Sequence, residues 1–371
     1  MSETIAVMGA GNGAYTAAAD LTLRGFNVHM FNPWQNELDP ILKRGGIKLT
    51  DFVTKEEAFA EIPLVTTNIN EALDGARILI LVVPVVAHEY YAEILSPHLT
   101  PEHIIFLNPG HTGGGLHFVH RLRELGNTIP IHTCESSTLT YGTRITGEAE
   151  VTLYMRAKDL PFAAFPGKYA SELYEVMISV YPALKLVESV LHTAFQNVNA
   201  IEHPAQILCN AGWVEHTKGE YLFYYEGTTP SVGRVIDAVD RERIAVANAL
   251  GISTPTFVEM FHRVGYTTDH ALEVGTAFQA LQESAPNRYV KGPKSLDSRY
   301  IHEDVGYGIV PFSGLGDLVG VSTPTIKSLI QLASVMNQID YINKGRTIEK
   351  LGLTGLSPQE IMDFLYVGDD L

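Results

Sequence analysis

The chain has almost no cysteine: Cys134 and Cys209 are the only two in 371 residues. No disulfide framework can be built from so few, and neither belongs to a CxxC pair. Two buried free thiols in a reducing cytoplasm are therefore expected. Long apolar runs are missing as well. The longest, Ile78 to Ala87, holds ten residues and includes a proline. A membrane-spanning helix needs about 20, so this run reads as a buried strand. Met1-Ser2-Glu3-Thr4 offers neither the basic start nor the apolar stretch of a secretory signal, which makes a cytoplasmic location the expectation. Positive charge is scarce: 26 Lys and Arg stand against 42 Asp and Glu, a formal net charge of −16. Such a surface repels phosphate backbones and anionic lipid heads, so no nucleic acid and no membrane partner is expected. An anionic substrate would then need a local cationic clamp. Metal-ligand patterns are also missing. His117 and His120 share a helix face, but no HExxH or Cys/His cluster accompanies them, so they read as surface histidines and no metal is expected.

What is present is ample core material, with 46% hydrophobic and 18% charged residues in a chain long enough for two domains. Thr4–Met8 reads as a first strand, Ala14–Arg24 as a helix stopped by Gly25, and Asn27–Phe31 as a second strand. Arg77–Val83, His103–Leu107 and Pro130–Cys134 are further apolar strands, with helical spacing over Val86–Leu95. This alternation predicts a parallel sheet with helices on both faces. After Glu148 the rhythm changes: short strands at Val151–Ala157, Pro161–Phe165 and Lys185–Glu188 surround a helix over 167–181. From Leu191 on, long helical patterns follow at about 191–216, 231–250, 255–264, 269–280, 324–342 and 357–366. No internal repeat or low-complexity linker interrupts them. The boundary falls near residue 188, giving domains 1–188 and 189–371, with the active site expected in the cleft between them.

Gly9-Ala10-Gly11-Asn12-Gly13-Ala14 follows the first strand directly and opens the first helix. In that context GxGxx(G/A) is a dinucleotide fingerprint. Gly9 serves the tight turn, Gly11 lets the backbone approach a pyrophosphate, and Ala14 is the small residue that lets helix pack on sheet. Asn12 and Gly13 lie at the helix N-terminus, where free N–H groups and the positive dipole end favour an anion. The N-terminal fold class is thus an α/β Rossmann doubly wound parallel sheet, followed by an all-helical C-terminal domain. Val83 and Pro84 end the next strand, and Asn108-Pro109-Gly110 the one after, where further cofactor contacts usually arise; plain turn chemistry explains them equally well. The end of the second strand carries Phe31-Asn32-Pro33-Trp34, where an NAD enzyme usually has Asp or Glu. Asn32 neither repels a 2′-phosphate nor requires its absence. Lys43 and Arg44 lie farther along. The cofactor is NAD(H) or NADP(H), with the choice open.

In the second half, Pro204 lies within a long helical pattern and is expected to break or kink the helix just after His203, turning the imidazole towards the cleft. A structural histidine is the alternative. Residues 297–306 are polar, flanked by Gly292-Pro293 and by Gly308–Pro311, and read as a loop. Arg299 offers a two-pronged donor for a carboxylate and Asp304 a partner for an imidazole. A surface salt-bridge loop explains the same residues.

Several stretches together resemble a known family. They are GAGNGA at 9–14, VVPVVAH at 82–88, LNPGHTGG at 107–114, Glu135-Ser136-Ser137-Thr138 on to Arg144, and VLHTAFQNVNAIEHP at 190–204. They continue with YYEGTTPSVG at 224–233, LDSRYIHEDVGYGIVP at 296–311 and GRTIEKLGLTGL at 345–356. In order over nearly the whole chain, they are similar to opine dehydrogenases of the octopine/nopaline type. The resemblance implies a catalytic His203–Asp304 pair, a substrate-carboxylate clamp at Arg299, and pocket positions at Glu135, Thr138 and Asn199. It also implies a homodimer. Asn32 departs from it, since a close relative has an acid there. The implied reaction joins an L-amino acid to a 2-oxo acid such as pyruvate through an imine, which hydride from the nicotinamide reduces. A histidine, with an ordinary pKa of about 6.5, suits the general acid and base role. The alternative is a ketopantoate reductase-like or hydroxy-acid dehydrogenase that reduces C=O without an amine. Such enzymes use a lysine on a helix of the second domain, and the 191–216 pattern has only Lys218 just beyond it. A non-enzymatic nicotinamide sensor is a third reading. Tyr224, Tyr225 and Trp213 hint at an apolar amino acid, although such residues also build cores.

Overall fold

The structure is a computed structural model and describes residues 3–368. By internal contacts the chain divides into two compact units. The first comprises residues up to Gly110, Gly114–Val190 and the stretch from Leu365 on; the second comprises His111–Gly113 and Leu191–Phe364.

Among its described residues the first unit contains twelve strands: β1 (Thr4–Met8), β2 (Asn27–Phe31), β3 (Ile47–Asp51), β4 (Glu57–Ala60), β5 (Leu64–Thr66), β6 (Ala76–Leu81), β7 (Ile104–Leu107), β8 (His132–Ser136), β9 (Tyr141–Gly147), β10 (Glu150–Arg156), β11 (Leu160–Phe165) and β12 (Leu184–Leu186). Eight form the main sheet in the order β12-β11-β8-β7-β6-β1-β2-β5. From β5 to β8 all pairs are parallel. That order, 3-2-1-4-5-6 counted within the six, is the dinucleotide-binding arrangement, with its reversal between β1 and β6. β6 and β7 are buried over almost their full length, which is why they read as unbroken apolar runs. The sheet is not wholly parallel as expected: β11 runs antiparallel to β8 and carries β12.

A second sheet, β4-β3-β10-β9, received only β10 from the sequence pattern. Of its other strands, β4 and most of β9 are exposed, and the alternation of β3 spans only five residues, too few to stand out. Helix α1 (Asn12–Leu23) packs against strands of both sheets and buries every residue from Gly13 to Leu21. Its run of alanines makes that possible, since small side chains let backbone approach on two sides. Thr16 bonds Thr143 of β9 at 2.6 Å, and Asp20 accepts from Tyr141 at 2.8 Å and Arg156 at 2.9 Å. The remaining helices of this unit include α2 (Gln35–Arg44), α3 (Ile69–Leu73), α4 (His88–Leu95), α5 (Gly114–Glu124) and α6 (Ala170–Val180).

The second unit is helical: α7 (Val190–Ala194), α8 (Val198–Cys209), α9 (Ala211–Thr217), α10 (Pro230–Ala249), α11 (Phe257–Arg263), α12 (Asp269–Val274), α13 (Ala277–Gln282), α14 (Arg299–His302), α15 (Val310–Val319), α16 (Pro324–Asn337), α17 (Tyr341–Lys344) and α18 (Pro358–Val367), the last ending in the first unit.

Three expectations fail here. The pattern over 191–216 is three helices, cut at asparagines whose side chains bond to groups outside their own turn of chain. Asn197 reaches Thr112 Oγ1 at 3.3 Å, and Asn210 donates to the Gly227 carbonyl at 2.8 Å. Pro204 does not end α8, which runs on to Cys209. Nor is 297–306 a loop. Arg299–His302 is helical, and Val305–Ile309 is a π-helical turn leading into α15, closed by Ile309 N–H donating to the Asp304 carbonyl at 3.0 Å. A Cβ at Gly308 would lie 2.8 Å from Ala200 Cβ, so glycine marks close packing on α8 there rather than a loop. Two smaller corrections concern exposure: Cys209 is exposed while Cys134 is buried, and His117 is buried against Glu89 at 2.9 Å. Among the described residues no helix is long and apolar enough to cross a membrane.

Candidate active site

The glycine loop and the end of β6 flank the point where the main-sheet order reverses. Gly9 has φ +119°, and a Cβ there would stand 2.5 Å from the Val82 carbonyl and 3.0 Å from Val83. A Cβ at Gly11 would meet nothing within 4 Å, and as N-cap of α1 it provides no side-chain cap. The first N–H groups of a twelve-residue helix thus face an open approach, which fits a pyrophosphate. Ala14 is fully buried in the core, and Gly13 beside it is also closely packed, since a Cβ there would be 2.7 Å from Val82 Cγ1. The Asn12 side chain accepts from Ile145 N–H at 2.7 Å, tying the helix start to β9. Pro84 is exposed beyond β6. Asn108 is taken up by Thr140, at 2.8 and 3.0 Å, so its side chain is structural. Asn32 is buried at the end of β2.

Glu135 and Thr138 belong to this first unit. Glu135 is fully buried on β8, and accepts from Gly115 N–H at 2.7 Å in the first turn of α5. A carboxylate there is stabilised by the helix N-terminus. A Cβ at Gly110 would lie 2.4 Å from it, so a glycine is needed beside it. Thr138 lies half-buried in the turn before β9.

The second unit gathers His203, Asp304, Arg299 and Asn199. α8 packs against α14 and the π-helical turn, which brings His203 Nδ1 to 2.8 Å from Asp304 Oδ2 with both side chains buried. A carboxylate only accepts, so Nδ1 carries the hydrogen and Nε2 presents its lone pair. Nε2 lies 2.9 Å from the Tyr224 hydroxyl, which donates to it. Tyr300 packs on the imidazole at 4.3 Å between ring centroids. Asn199 sits one helical turn before His203 on the same face of α8. Arg299 is exposed, with its guanidinium 3.5 Å from the buried Glu303 carboxylate.

Four residues around the pair were not singled out as site residues. Glu202 is buried with Oε1 3.8 Å from His203 Nε2; burial, then the Asp304 charge, holds its carboxyl well above the usual range. Its Oε2 and Asp304 Oδ1 have no hydrogen-bond partner among the described residues. Tyr224 was read only as pocket lining; burial, then Tyr300 and Glu202, keeps its phenol neutral. His111 is buried 3.8 Å from Glu303, and burial pushes its imidazole down to about 4. Tyr300 neighbours Arg299 in sequence, and nothing in the pattern distinguished it. Chemically, the cluster is an imidazole of fixed tautomer with one nitrogen available to exchange a proton, and a cation one helical turn from its carboxylate partner.

Residues 186–337 match the model of the NAD/NADP octopine/nopaline dehydrogenase alpha-helical domain. The chain is 36% identical to an opine dehydrogenase from Arthrobacter sp. (strain 1C), over 96% of this chain and 97% of that one. An octopine dehydrogenase solved with NADH and L-arginine superimposes with a TM-score of 0.81 at 18% identity, covering 97% of this chain and 98% of that one. A yersinopine dehydrogenase with NADP+ bound gives 0.75 at 15% identity, covering 99% and 98%. With glycine loop, helical unit and a relative matching at full length, the chain belongs to the opine dehydrogenase family of NAD(P)-dependent oxidoreductases acting on CH–NH bonds.

Proposed function

We propose that this chain joins an L-amino acid to a 2-oxo acid such as pyruvate and reduces the resulting imine to a secondary amine dicarboxylate. The observation that carries the reading is the buried His203–Asp304 pair, with Arg299 on the same helical stretch as Asp304. Arg299 holds the oxo acid through its carboxylate, answering the clamp that a chain of charge −16 requires. His203 Nε2 exchanges protons with the oxo acid oxygen as water leaves. Asp304 fixes the tautomer and stabilises the imidazolium that forms. Tyr224 holds Nε2 before substrate binds and donates to the substrate oxygen that takes over that bond. A bound nicotinamide supplies the hydride. Asn199, Glu135 and Thr138 remain pocket candidates by resemblance; the bond from Gly115 gives Glu135 a structural task as well.

Within the second unit, Tyr300, Phe223, Tyr221 and Trp213 form a continuous aromatic series beside His203, with centroids 4.8, 6.4 and 4.5 Å apart in turn. This supports an apolar amino acid as the amine. The domains of the reading are 1–188 for the dinucleotide and 189–371 for substrate and catalysis, in a cytoplasmic homodimer.

The alternative, carbonyl reduction without an amine, lacks its lysine, since α8 carries none. Initial rates of NADH and NADPH oxidation with pyruvate, with and without amino acids, separate the two. The proposal expects oxidation only when both substrates are present. Equal rates without amine would overturn it.

A further inference from the structure

The end of β2 lacks the acid that NAD enzymes place there for the adenosine ribose hydroxyls. Asn32 occupies that position, buried, with its amide committed. Nδ2 donates to Glu37 Oε2 at 2.8 Å and to the Trp34 carbonyl at 3.3 Å, while Oδ1 accepts from the Tyr91 hydroxyl at 3.3 Å. The amide orientation follows, because a carboxylate and a carbonyl only accept. Burial, then Tyr90 and Glu37, raises the Tyr91 phenol, which stays a neutral donor. Both N–H groups of Asn32 are therefore spent inside the protein.

What this end of the strand offers to solvent is the Glu37 side chain, exposed in the first turn of α2. It lies at the glycine-loop end of the sheet. Tyr15 of α1 donates to the Glu37 carbonyl at 3.3 Å, and its phenol is raised by burial and then by the Glu37 charge. Gly9 N–H donates to the Phe31 carbonyl at 2.8 Å, tying the loop to the same strand end. Beside the carboxylate, Trp34 and Tyr90 stack with centroids 5.8 Å apart, each partly exposed. Arg44, at the other end of α2, is spent on Glu150 at 2.7 Å and the Glu148 carbonyl at 2.9 Å.

We propose that Glu37, held in place by Asn32, reads the adenosine ribose and makes this chain selective for NAD(H) over NADP(H). The inference rests on the glycine loop holding a dinucleotide. The Glu37 carboxylate accepts from ribose hydroxyls with the lone pairs that Asn32 leaves free. A 2′-phosphate would instead bring negative charge against it, and like charges placed together discriminate strongly between ligands. The acid has moved five positions along the chain, and Asn32 returns it to the strand end.

The test is equilibrium binding without substrates, titrating the purified full-length chain with NADH and with NADPH and following nicotinamide fluorescence. The wild type is expected to bind NADH at least about tenfold more tightly. Glu37→Gln should shrink that ratio at least about fivefold, by weakening NADH and tightening NADPH, and Glu37→Asp should keep most of it. Asn32→Ala, which frees the carboxylate, should shrink it part of the way. Thermal melting confirms that each variant is folded. Equal affinity for the two cofactors in the wild type, a preference for NADPH, or an unchanged ratio in Glu37→Gln would overturn the assignment. Binding of neither cofactor would overturn the dinucleotide site itself.

Discussion

His203 Nδ1 and Asp304 Oδ2 meet at 2.8 Å, from residues 101 positions apart, with both side chains buried. The contact assigns the proton on the ring, and so leaves Nε2 as the working nitrogen. Asp304→Asn tests that directly, because an amide can donate to Nδ1 and stabilise the other tautomer. Turnover should fall by about 10²–10⁴-fold in Asp304→Asn and in His203→Asn, with NADH binding unchanged. The double variant should be no worse than the poorer single, because the two act as a unit. Near-wild-type kcat in either single variant would contradict the assignment.

Arg299 keeps most of its side chain exposed, at 64%, although Glu303 lies 3.5 Å away. It is therefore available to an incoming carboxylate. Arg299→Ala should raise KM for the oxo acid by about 10- to 100-fold, the worth of a hydrogen bond between charged groups. Arg299→Lys should recover only part of this, since lysine lacks the planar fork. A change confined to the cofactor constant would remove Arg299 from the substrate.

The Tyr224 hydroxyl, 2.9 Å from Nε2, occupies the place where a substrate oxygen would act. Tyr224→Phe keeps the ring and removes the donor. The expected result is a fall in kcat of about tenfold, a typical value for one lost hydrogen bond to a reacting group, with a melting temperature close to wild type. A lowered melting temperature with unchanged kcat would make the hydroxyl purely structural.

His111 gives the protein an acid limit. Its folded pKa of about 4 lies below the ordinary value for histidine, so the neutral ring is favoured by folding. The stability it contributes is complete above about pH 6.5 and is lost as pH falls towards 4. By linkage this amounts to roughly 3 kcal/mol at the acid end. The residue has φ +57°, a conformation that asparagine tolerates better than other side chains. His111→Asn should therefore flatten the fall in denaturation free energy between pH 6.5 and 4 relative to wild type. Parallel curves for the two proteins would refute this role.

The glycine loop, β6 and β7 were legible because each obeys one rule without competition: a special φ at Gly9, or burial on both faces of a strand. The second sheet was not, because its edge strands β4 and β9 are largely exposed and the pairing that joins its two hairpins, β3 with β10, links segments far apart in sequence. At Pro204 the expected break did not come, because losing one backbone bond does not end a helix packed along its length. The 297–306 segment misled because the nearby Gly308, read as a loop flank, permits close packing on α8 rather than a turn. In the site, His203, Arg299 and Asp304 were singled out by the family resemblance rather than by their pattern alone, and the structure brings His203 against Asp304. Glu202 sat beside His203 in plain view, but only its burial against Asp304 gives it chemical meaning. Glu37 was invisible because the expected acid is displaced and returns only through a side-chain bond.

Product identification tests the central claim most directly. The chain is incubated with NADH, pyruvate and an apolar L-amino acid such as phenylalanine, and the products are resolved by mass spectrometry. The account predicts the N-(1-carboxyethyl) amino acid, formed in step with NADH oxidation and lost in His203→Asn. Lactate as the sole reduced product, formed equally without amino acid, would contradict it.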